Sequence, residues 1–167
     1  MTKNETLYID ENFISLGRKN ENPGDYSIAV GLTTSARGES SAALGRETLA
    51  IGNNSLAIGC KSEAHGDSSF ASGFYTAAIG MGSHTEGDHT SAAGNYGHAE
   101  GQETQAIGTN SHSEGYKSKA NGASAHAEGE DNSTEGVCSH IEGYSNRIYK
   151  DTTDSSHAEG EYNVVNP

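Results

Sequence analysis

Residues 46–59 read RETLAIGNNSLAIG, two blocks of seven residues that each end in glycine. Glycine recurs at every seventh position from Gly17 to Gly143, which makes nineteen glycines because 143 minus 17 is eighteen sevens. A short period that is kept over so much of a chain indicates one structural element per unit, stacked on its neighbours. The sequence therefore predicts a repeat protein.

The other positions of the block are regular as well. With glycine as position 7, position 3 is Ser or Thr in fourteen of the seventeen blocks between residues 25 and 143, and position 5 is Ala in thirteen. A coiled coil also has a seven-residue period, but it needs large apolar residues at two positions per heptad, and each glycine costs a helix roughly 1 kcal/mol relative to alanine. We therefore predict one short strand and one tight corner per block, with the glycine forming the corner.

The alternation along each strand predicts which side chains are buried. Positions 3 and 5 share one face and positions 4 and 6 the other, and the small residues are expected to face inward. The simplest structure that satisfies this pattern is an all-β fold, a narrow parallel β-roll (β-solenoid) with two strands per 14-residue coil. The 167 residues would form about 11 to 12 such coils.

The whole chain is predicted to form a single domain in four parts. Residues 1–24 form an N-terminal cap and irregular first coils, 25–143 the regular repeats, 144–153 an insertion, and 154–167 the last coil. The first block, residues 4–10, is predicted to be in phase with the others, with Thr6 and Tyr8 inward.

Several blocks resemble a known family. The TLAIG and SLAIG blocks of residues 46–59, and the SHAEG block of residues 154–160, resemble head repeats of YadA-type trimeric autotransporter adhesins. The SHAEG variant is also similar to repeats in bacteriophage tail and neck appendage proteins. The resemblance covers about residues 4–165 and implies a left-handed parallel β-roll that assembles as a parallel homotrimer. The function that it implies is structural or attachment-related, in a phage tail or appendage fibre or in a cell-surface adhesin.

The outward residues at positions 4 and 6 form two series, because alternate blocks belong to opposite sheets. The first series is aliphatic in its N-terminal half and a repeated His/Glu pair in its C-terminal half, whereas the second is mixed. An exposed apolar strip marks an interface, so we predict that the first series is the trimer contact and the second is the outer surface. The predicted contact residues are Ile28, Val30, Leu44, Leu56, Ile58, Phe70, His84, Glu86, His98, Glu100, His112, Glu114, His126, Glu128, His140, Glu142, His157 and Glu159.

The insertion at 144–153 is the second candidate site. Arg147, Tyr149 and Lys150 bring cationic and aromatic side chains together on an acidic chain, so they are a candidate contact for a cell-surface receptor, glycan or protein. The alternative is a loop insertion that the solenoid simply tolerates.

The net charge and the hydropathy of the chain limit the kinds of partner that it can have. A net charge of −13 argues against nucleic acid and anionic membranes, which are themselves negatively charged. No apolar run follows Met1, so we expect neither a signal peptide nor a membrane anchor in this chain, and no membrane insertion. The expected location is a virion or a bacterial cell surface.

The histidines and carboxylates do not form a known catalytic motif. The H-x-E pairs lack the helical spacing of a zinc protease and the P-C-x-x-C partner of a deaminase, so we predict no catalytic residue, no metal and no cofactor. One alternative is a ring of three histidines on a threefold axis that holds a metal or an anion. Another is an ice-binding solenoid, although threonine falls at the inward position 3.

Pairing between chains would have an electrostatic signature. If the histidines and glutamates of neighbouring chains pair, we expect the pKa of each Glu to be lowered and that of each His to be raised. Desolvation acts in the opposite direction, because burial disfavours charge on both partners, and a neutral histidine can still donate one hydrogen bond to a carboxylate.

Overall fold

The chain folds into a parallel β-solenoid built from two sheets. The structure is a computed structural model that describes residues 6–10, 12–21, 24–150 and 155–166, and no helix occurs among them. The prediction of an all-β solenoid is confirmed.

Twenty-two short strands follow one another along the chain. They are β1 (Thr6–Ile9), β2 (Phe13–Arg18), β3 (Ser27–Leu32), β4 (Ser35–Ala36), β5 (Ala42–Arg46), β6 (Leu49–Ala50), β7 (Leu56–Cys60), β8 (Glu63–Ala64), β9 (Phe70–Phe74), β10 (Ala77–Ala78), β11 (His84–Asp88), β12 (Ser91–Ala92), β13 (His98–Gln102), β14 (Gln105–Ala106), β15 (His112–Ser113), β16 (Lys119–Ala120), β17 (His126–Ala127), β18 (Ser133–Thr134), β19 (His140–Ile141), β20 (Arg147–Ile148), β21 (His157–Ala158) and β22 (Val164–Val165).

Alternate strands belong to opposite sheets, as the period predicts. A twelve-stranded sheet contains β1, β2 and the odd-numbered strands from β3 to β21, and a ten-stranded sheet contains the even-numbered strands from β4 to β22. From β2 to β20, strands pair in parallel with the strand fourteen residues further on, as in Ala42↔Leu56 and Ser35↔Leu49, except at the insertion described below. Ten strands in the second sheet correspond to about ten full coils, fewer than the 11 to 12 expected.

The N-terminal block accounts for part of this difference. Strand β1 pairs antiparallel with β2, with Leu7 opposite Leu16, so this block folds back and does not begin a coil. Asp10 stands where the repeat would place a glycine, and its amide donates to the Phe13 carbonyl at 3.0 Å, which closes the reversal. The expected inward orientation of Thr6 and Tyr8 lies outside the described side chains.

The core is one layer of small side chains. The alanines at position 5 of residues 25–108 are fully buried, and the serines and threonines at position 3 are at most 2 % exposed. Larger residues enter only towards the C-terminal end, where Ile141, Ile148, Asn132 and Asn146 are buried. Asn146 Nδ2 donates to the carbonyls of Glu142 and Gly160 at 2.8 Å each. The predicted inward face is therefore confirmed.

The corners are built only partly as predicted. Positive φ occurs on the glycines of the twelve-stranded sheet, such as Gly45 (φ 129°), but also at position 2 of the block, on ordinary residues such as Asn54 (φ 57°), Lys61 (φ 57°) and Tyr75 (φ 54°). The amide of Asn54 donates to the Glu39 carbonyl of the preceding coil at 2.8 Å. The coil-to-coil hydrogen bond holds a conformation that costs a non-glycine residue roughly 1–2 kcal/mol.

The ladder glycines are required by close contact between coils. A Cβ on Gly45, whose φ is 129°, would lie 2.0 Å from the carbonyl oxygen of Gly59. A Cβ on Gly108, which has no positive φ, would still lie 1.9 Å from the carbonyl oxygen of Gly122. The ladder glycines form two columns, one along each sheet, and only one column has positive φ. What both columns require is the absence of a Cβ, because the next coil lies too close.

The insertion adds three residues without breaking either sheet. The sequence separation between paired residues increases from fourteen in His126↔His140 to seventeen in His140↔His157. In the other sheet, Arg147 and Val164 are also seventeen residues apart. The extra residues fall near 151–154, which lie outside the described residues.

We predict that glycine substitutions separate into two classes. Gly108→Val should lower the free energy of unfolding by about 3 kcal/mol or more, because its Cβ would overlap the Gly122 carbonyl. Gly82→Ala is the control, since Gly82 lies at the corner position with φ 63°, where other blocks carry ordinary residues. Its Cβ would meet only the exposed ring of Tyr96, and the expected loss is about 1 kcal/mol. Thermal unfolding followed by circular dichroism measures both, and equal losses would show that the glycine columns are not the constraint.

Candidate functional site

The outward face of the twelve-stranded sheet carries two surfaces in succession. The first, the aliphatic strip, consists of Ile28, Val30, Leu44, Leu56, Ile58 and Phe70. Ile28 is 38 % exposed, and the neighbouring Ile14 and Leu16 are 40 % and 45 % exposed. The second, the His–Glu columns, consists of His84, His98, His112, His126, His140 and His157 beside Glu86, Glu100, Glu114, Glu128, Glu142 and Glu159.

Strand register joins the two surfaces into one continuous face. Phe70 pairs with His84, and Ser72 with Glu86, so the imidazoles continue the column of apolar side chains. The structure thus brings all the predicted contact residues onto one sheet. That they form a trimer contact stays a prediction.

The imidazole rings stack on one another along the column. Successive ring centroids lie 4.5 Å apart for His84 and His98, 4.7 Å for His98 and His112 and 4.7 Å for His112 and His126. The Phe70 ring meets His84 edge-on at 4.8 Å. The histidines from His84 to His140 therefore have a ring above and a ring below them, whereas His157 at the end of the column has one only on the side of His140.

The carboxylates lie beside the rings but beyond hydrogen-bond distance. The Nε2-to-Oε2 distance is 3.6 Å in the blocks of His84 and His126, 3.8 Å in those of His98 and His140, and 3.9 Å in that of His112. The Nε2 atoms of His84, His98, His112, His126 and His140 are buried and have no hydrogen-bond partner in the described part of the chain. Orphaned buried nitrogens of this kind are costly.

Within one chain, the environment of the histidines lowers their pKa. Burial, followed by the charge of His98, lowers the pKa of His84. Burial also lowers the pKa of His112 and His126, with neighbouring histidines adding to the effect. Stacked rings remove water, and the carboxylates of the same chain are too distant to compensate. The rise expected from pairing between chains stays a prediction.

The glutamates respond as a coupled column. The hydrogen bond that Glu114 donates to the Glu100 carboxylate, followed by burial, raises the pKa of Glu114 to about 7, and a hydrogen bond with Glu128 raises the pKa of Glu142. The pKa of each hydrogen-bond partner shifts in the opposite direction. The Glu114 carboxyl lowers the pKa of Glu100, and the Glu142 carboxyl lowers the pKa of Glu128. Within one chain, the stacked carboxylates share protons instead of all ionising. The lowering expected from pairing with histidines of neighbouring chains stays a prediction.

The columns also bring together sets of three groups that can act as metal ligands. Glu100, His112 and Glu114 place one nitrogen or oxygen each within 4.8 Å of one another. His126, Glu128 and His140 do the same, and so do Glu142, His157 and Glu159 at the more exposed end. No single block contains such a set, because each draws on two successive coils.

The predicted receptor residues lie on the opposite sheet. Arg147, in β20, is tied to the preceding coil by Nη2, which lies 3.1 Å from Asp131 Oδ2. Tyr149 is 46 % exposed and Lys150 is exposed. The side chains therefore share one surface, but the guanidinium is already engaged.

Sequence reasoning missed a ridge along one corner. The Lys61 ammonium lies 4.6 Å from the centroid of the Tyr75 ring, which stacks on His89 at 4.9 Å. The spacing of fourteen between these residues was the available signal.

Comparison with protein families supports the repeat assignment. The family model of the YadA head domain repeat, which contains two copies, matches residues 23–48, 50–76 and 71–96. Residues 23–96 are thus similar to YadA head repeats. The following coils keep the same fourteen-residue register, as in His98↔His112. No curated protein matches the chain. No helix in the described ranges is long and apolar enough to span a membrane.

We predict that Glu114→Gln raises the thermal stability of the β-solenoid at alkaline pH. Because the pKa of Glu114 is raised from 4.5 to about 7, its contribution is fully present below pH 4.5 and is lost as the pH rises through about 7. Glutamine keeps a donor for Glu100 without ionising, so the melting temperature should rise by about 2 °C at about pH 8 and change little at about pH 5.

The lowered pKa of His84, His112 and His126 has the opposite effect on stability. The stability that these histidines contribute is present above pH 6.5 and is lost as the pH falls through their lower folded-state pKa values. The pH dependence of the wild-type melting temperature therefore mixes both effects, and the quantity to measure is the difference between variants. Glu135→Gln removes the same charge on the other sheet and is the control. Melting curves in metal-free buffer that show the same shift for both variants would contradict the shared-proton column.

Proposed function

We propose that the chain is a non-enzymatic, trimeric attachment module, a rigid rod that belongs to a phage tail or appendage fibre or to an adhesin on a bacterial surface. The observation that carries the proposal is a regular solenoid of YadA head repeats with all its uniform outward residues on one sheet. The family match supports the attachment role, and the SHAEG blocks favour the phage setting by resemblance alone.

The aliphatic strip favours identical chains as the partner. The core is a single layer of small side chains, so Ile28, Leu56 and Ile58 have no place inside the roll. Their strip runs along the solenoid axis, and parallel copies would place the same residues at the same height. A trimer that covers this strip would also bring the His–Glu columns of three chains together, which leaves the ten-stranded sheet as the outer surface.

Receptor binding is proposed for that outer surface, at Arg147, Tyr149 and Lys150 of the insertion. The net charge of −13 favours a glycan or protein receptor over nucleic acid or an anionic membrane, and the proposal includes no membrane insertion. An ice-binding function has no support, because Thr34, Thr48 and Thr76 are buried and cannot form a flat outward array.

We predict three chains per particle in solution. Light scattering should give about three times the chain mass of 17.4 kDa, because the aliphatic strip must be covered. Ile58→Glu should produce monomers, whereas Ile79→Glu, at the same block position on the ten-stranded sheet and 50 % exposed, should leave the trimer intact. A wild-type monomer at micromolar concentration, or equal effects of the two variants, would contradict the interface.

We further predict that the insertion contributes to receptor binding. Deleting Asp151, Thr152 and Thr153 and replacing Arg147 and Tyr149 with alanine should reduce binding in a glycan and cell-surface screen by about tenfold or more. Lys119→Ala, at the position of Arg147 two coils earlier, is the control. Unchanged binding by the deletion variant would show that the insertion is only a tolerated loop.

A further inference from the structure

We propose that the His–Glu columns bind divalent transition-metal ions of the zinc class, one at Glu100, His112 and Glu114 and one at His126, Glu128 and His140. The more exposed set of Glu142, His157 and Glu159 has the composition of the first set and is proposed as the third site. Each set belongs to one chain, so the proposal does not depend on the trimer.

The distances between the ligand atoms suit a small ion. His112 Nε2 lies 3.9 Å from both Glu100 Oε1 and Glu114 Oε2, and His126 Nε2 lies 3.6 Å from Glu128 Oε2. With zinc bonds of about 2.0–2.2 Å at tetrahedral angles, two ligands of one ion are roughly 3.3–3.6 Å apart. The His126–Glu128 pair has this separation, and the two His112 pairs would have to close by a few tenths of an ångström.

The unsatisfied nitrogens point to the same conclusion. His112, His126 and His140 hold Nε2 atoms that are buried and have no hydrogen-bond partner among the described residues. A metal ion would satisfy these nitrogens. By contrast, His65 on the ten-stranded sheet already has Nε2 2.8 Å from Glu63 Oε2. The exceptional environment is therefore confined to the columns and does not extend to every histidine beside a carboxylate.

The electrostatics of the columns favour a cation. The stacked carboxylates of Glu100 and Glu114 repel each other, and a divalent ion between them would offset both charges and displace the proton that they share. Neutral imidazole is the form that binds metals, and burial lowers the pKa of His112 and His126. Nitrogen ligands favour zinc, nickel or cobalt over calcium or magnesium, which prefer oxygen.

The chain itself suggests a substitution that preserves the fold. Phe70 occupies the same column as the histidines and packs against His84, so His112→Phe removes a nitrogen ligand and keeps a stacked ring. His65→Phe makes the same change on the other sheet and is the matched control. Circular dichroism in metal-free buffer checks that both variants fold.

The experiment titrates the metal-free full chain with Co²⁺ and with Zn²⁺ near neutral pH. Visible absorption of Co²⁺ reports nitrogen and oxygen coordination, and calorimetry counts Zn²⁺. We expect about three ions per wild-type or His65→Phe chain, one for each set, and about two for His112→Phe. The same titration is made after refolding in the presence of the ion, so that access to the columns is not limiting.

Two results would overturn the proposal. One is wild-type protein that binds less than one ion per chain at micromolar concentration even after refolding with the ion. The other is His112→Phe protein that binds as many ions as His65→Phe.

Discussion

The close approach of successive coils at the glycine columns is the constraint on which the rest of the structure depends. The Cβ of any other residue at Gly45 or Gly108 would overlap a carbonyl oxygen of the next coil. With glycine there, the strands keep their ladder hydrogen bonds, and a coil of fourteen residues closes around one layer of alanine, serine and threonine. The seven-residue period is therefore a packing requirement.

A core this thin moves the large side chains to the outside. Alanine buries little apolar surface, so the interior of each coil contributes less stabilising free energy than it would with Leu or Ile in the same positions. Leu56 and Ile58 lie outward, where only another surface can cover them. Assembly thereby supplies apolar burial that the single chain lacks, which is the physical reason why a roll of this kind favours an oligomer.

Much of this could be read from the sequence, because alternation and period decide which side chains point inward and which share a sheet. The corners could not, since the left-handed position carries Tyr75, Lys61 and Asn54 with no common residue type, and coil-to-coil hydrogen bonds hold them there. The reversal before β2 depends on one missing glycine, at Asp10. The alignment of the His–Glu columns on one face could be predicted, but their electrostatics within the chain could not, because residue spacing does not say that Nε2 and Oε2 stop near 3.6–3.9 Å.

The face of the twelve-stranded sheet shows how the repeat separates folding from chemistry. Between Phe70 and His84 the outward residues change from apolar to ionisable, yet the strand register continues unchanged. Positions 3, 5 and 7 satisfy the packing of the coil, and positions 4 and 6 are free to vary. A histidine column therefore costs the fold no backbone strain, but it leaves buried nitrogens without partners. Since each lone pair can satisfy only one partner, contacts between chains and metal coordination would compete for the same nitrogens, and the number of ions per chain would measure which of them prevails.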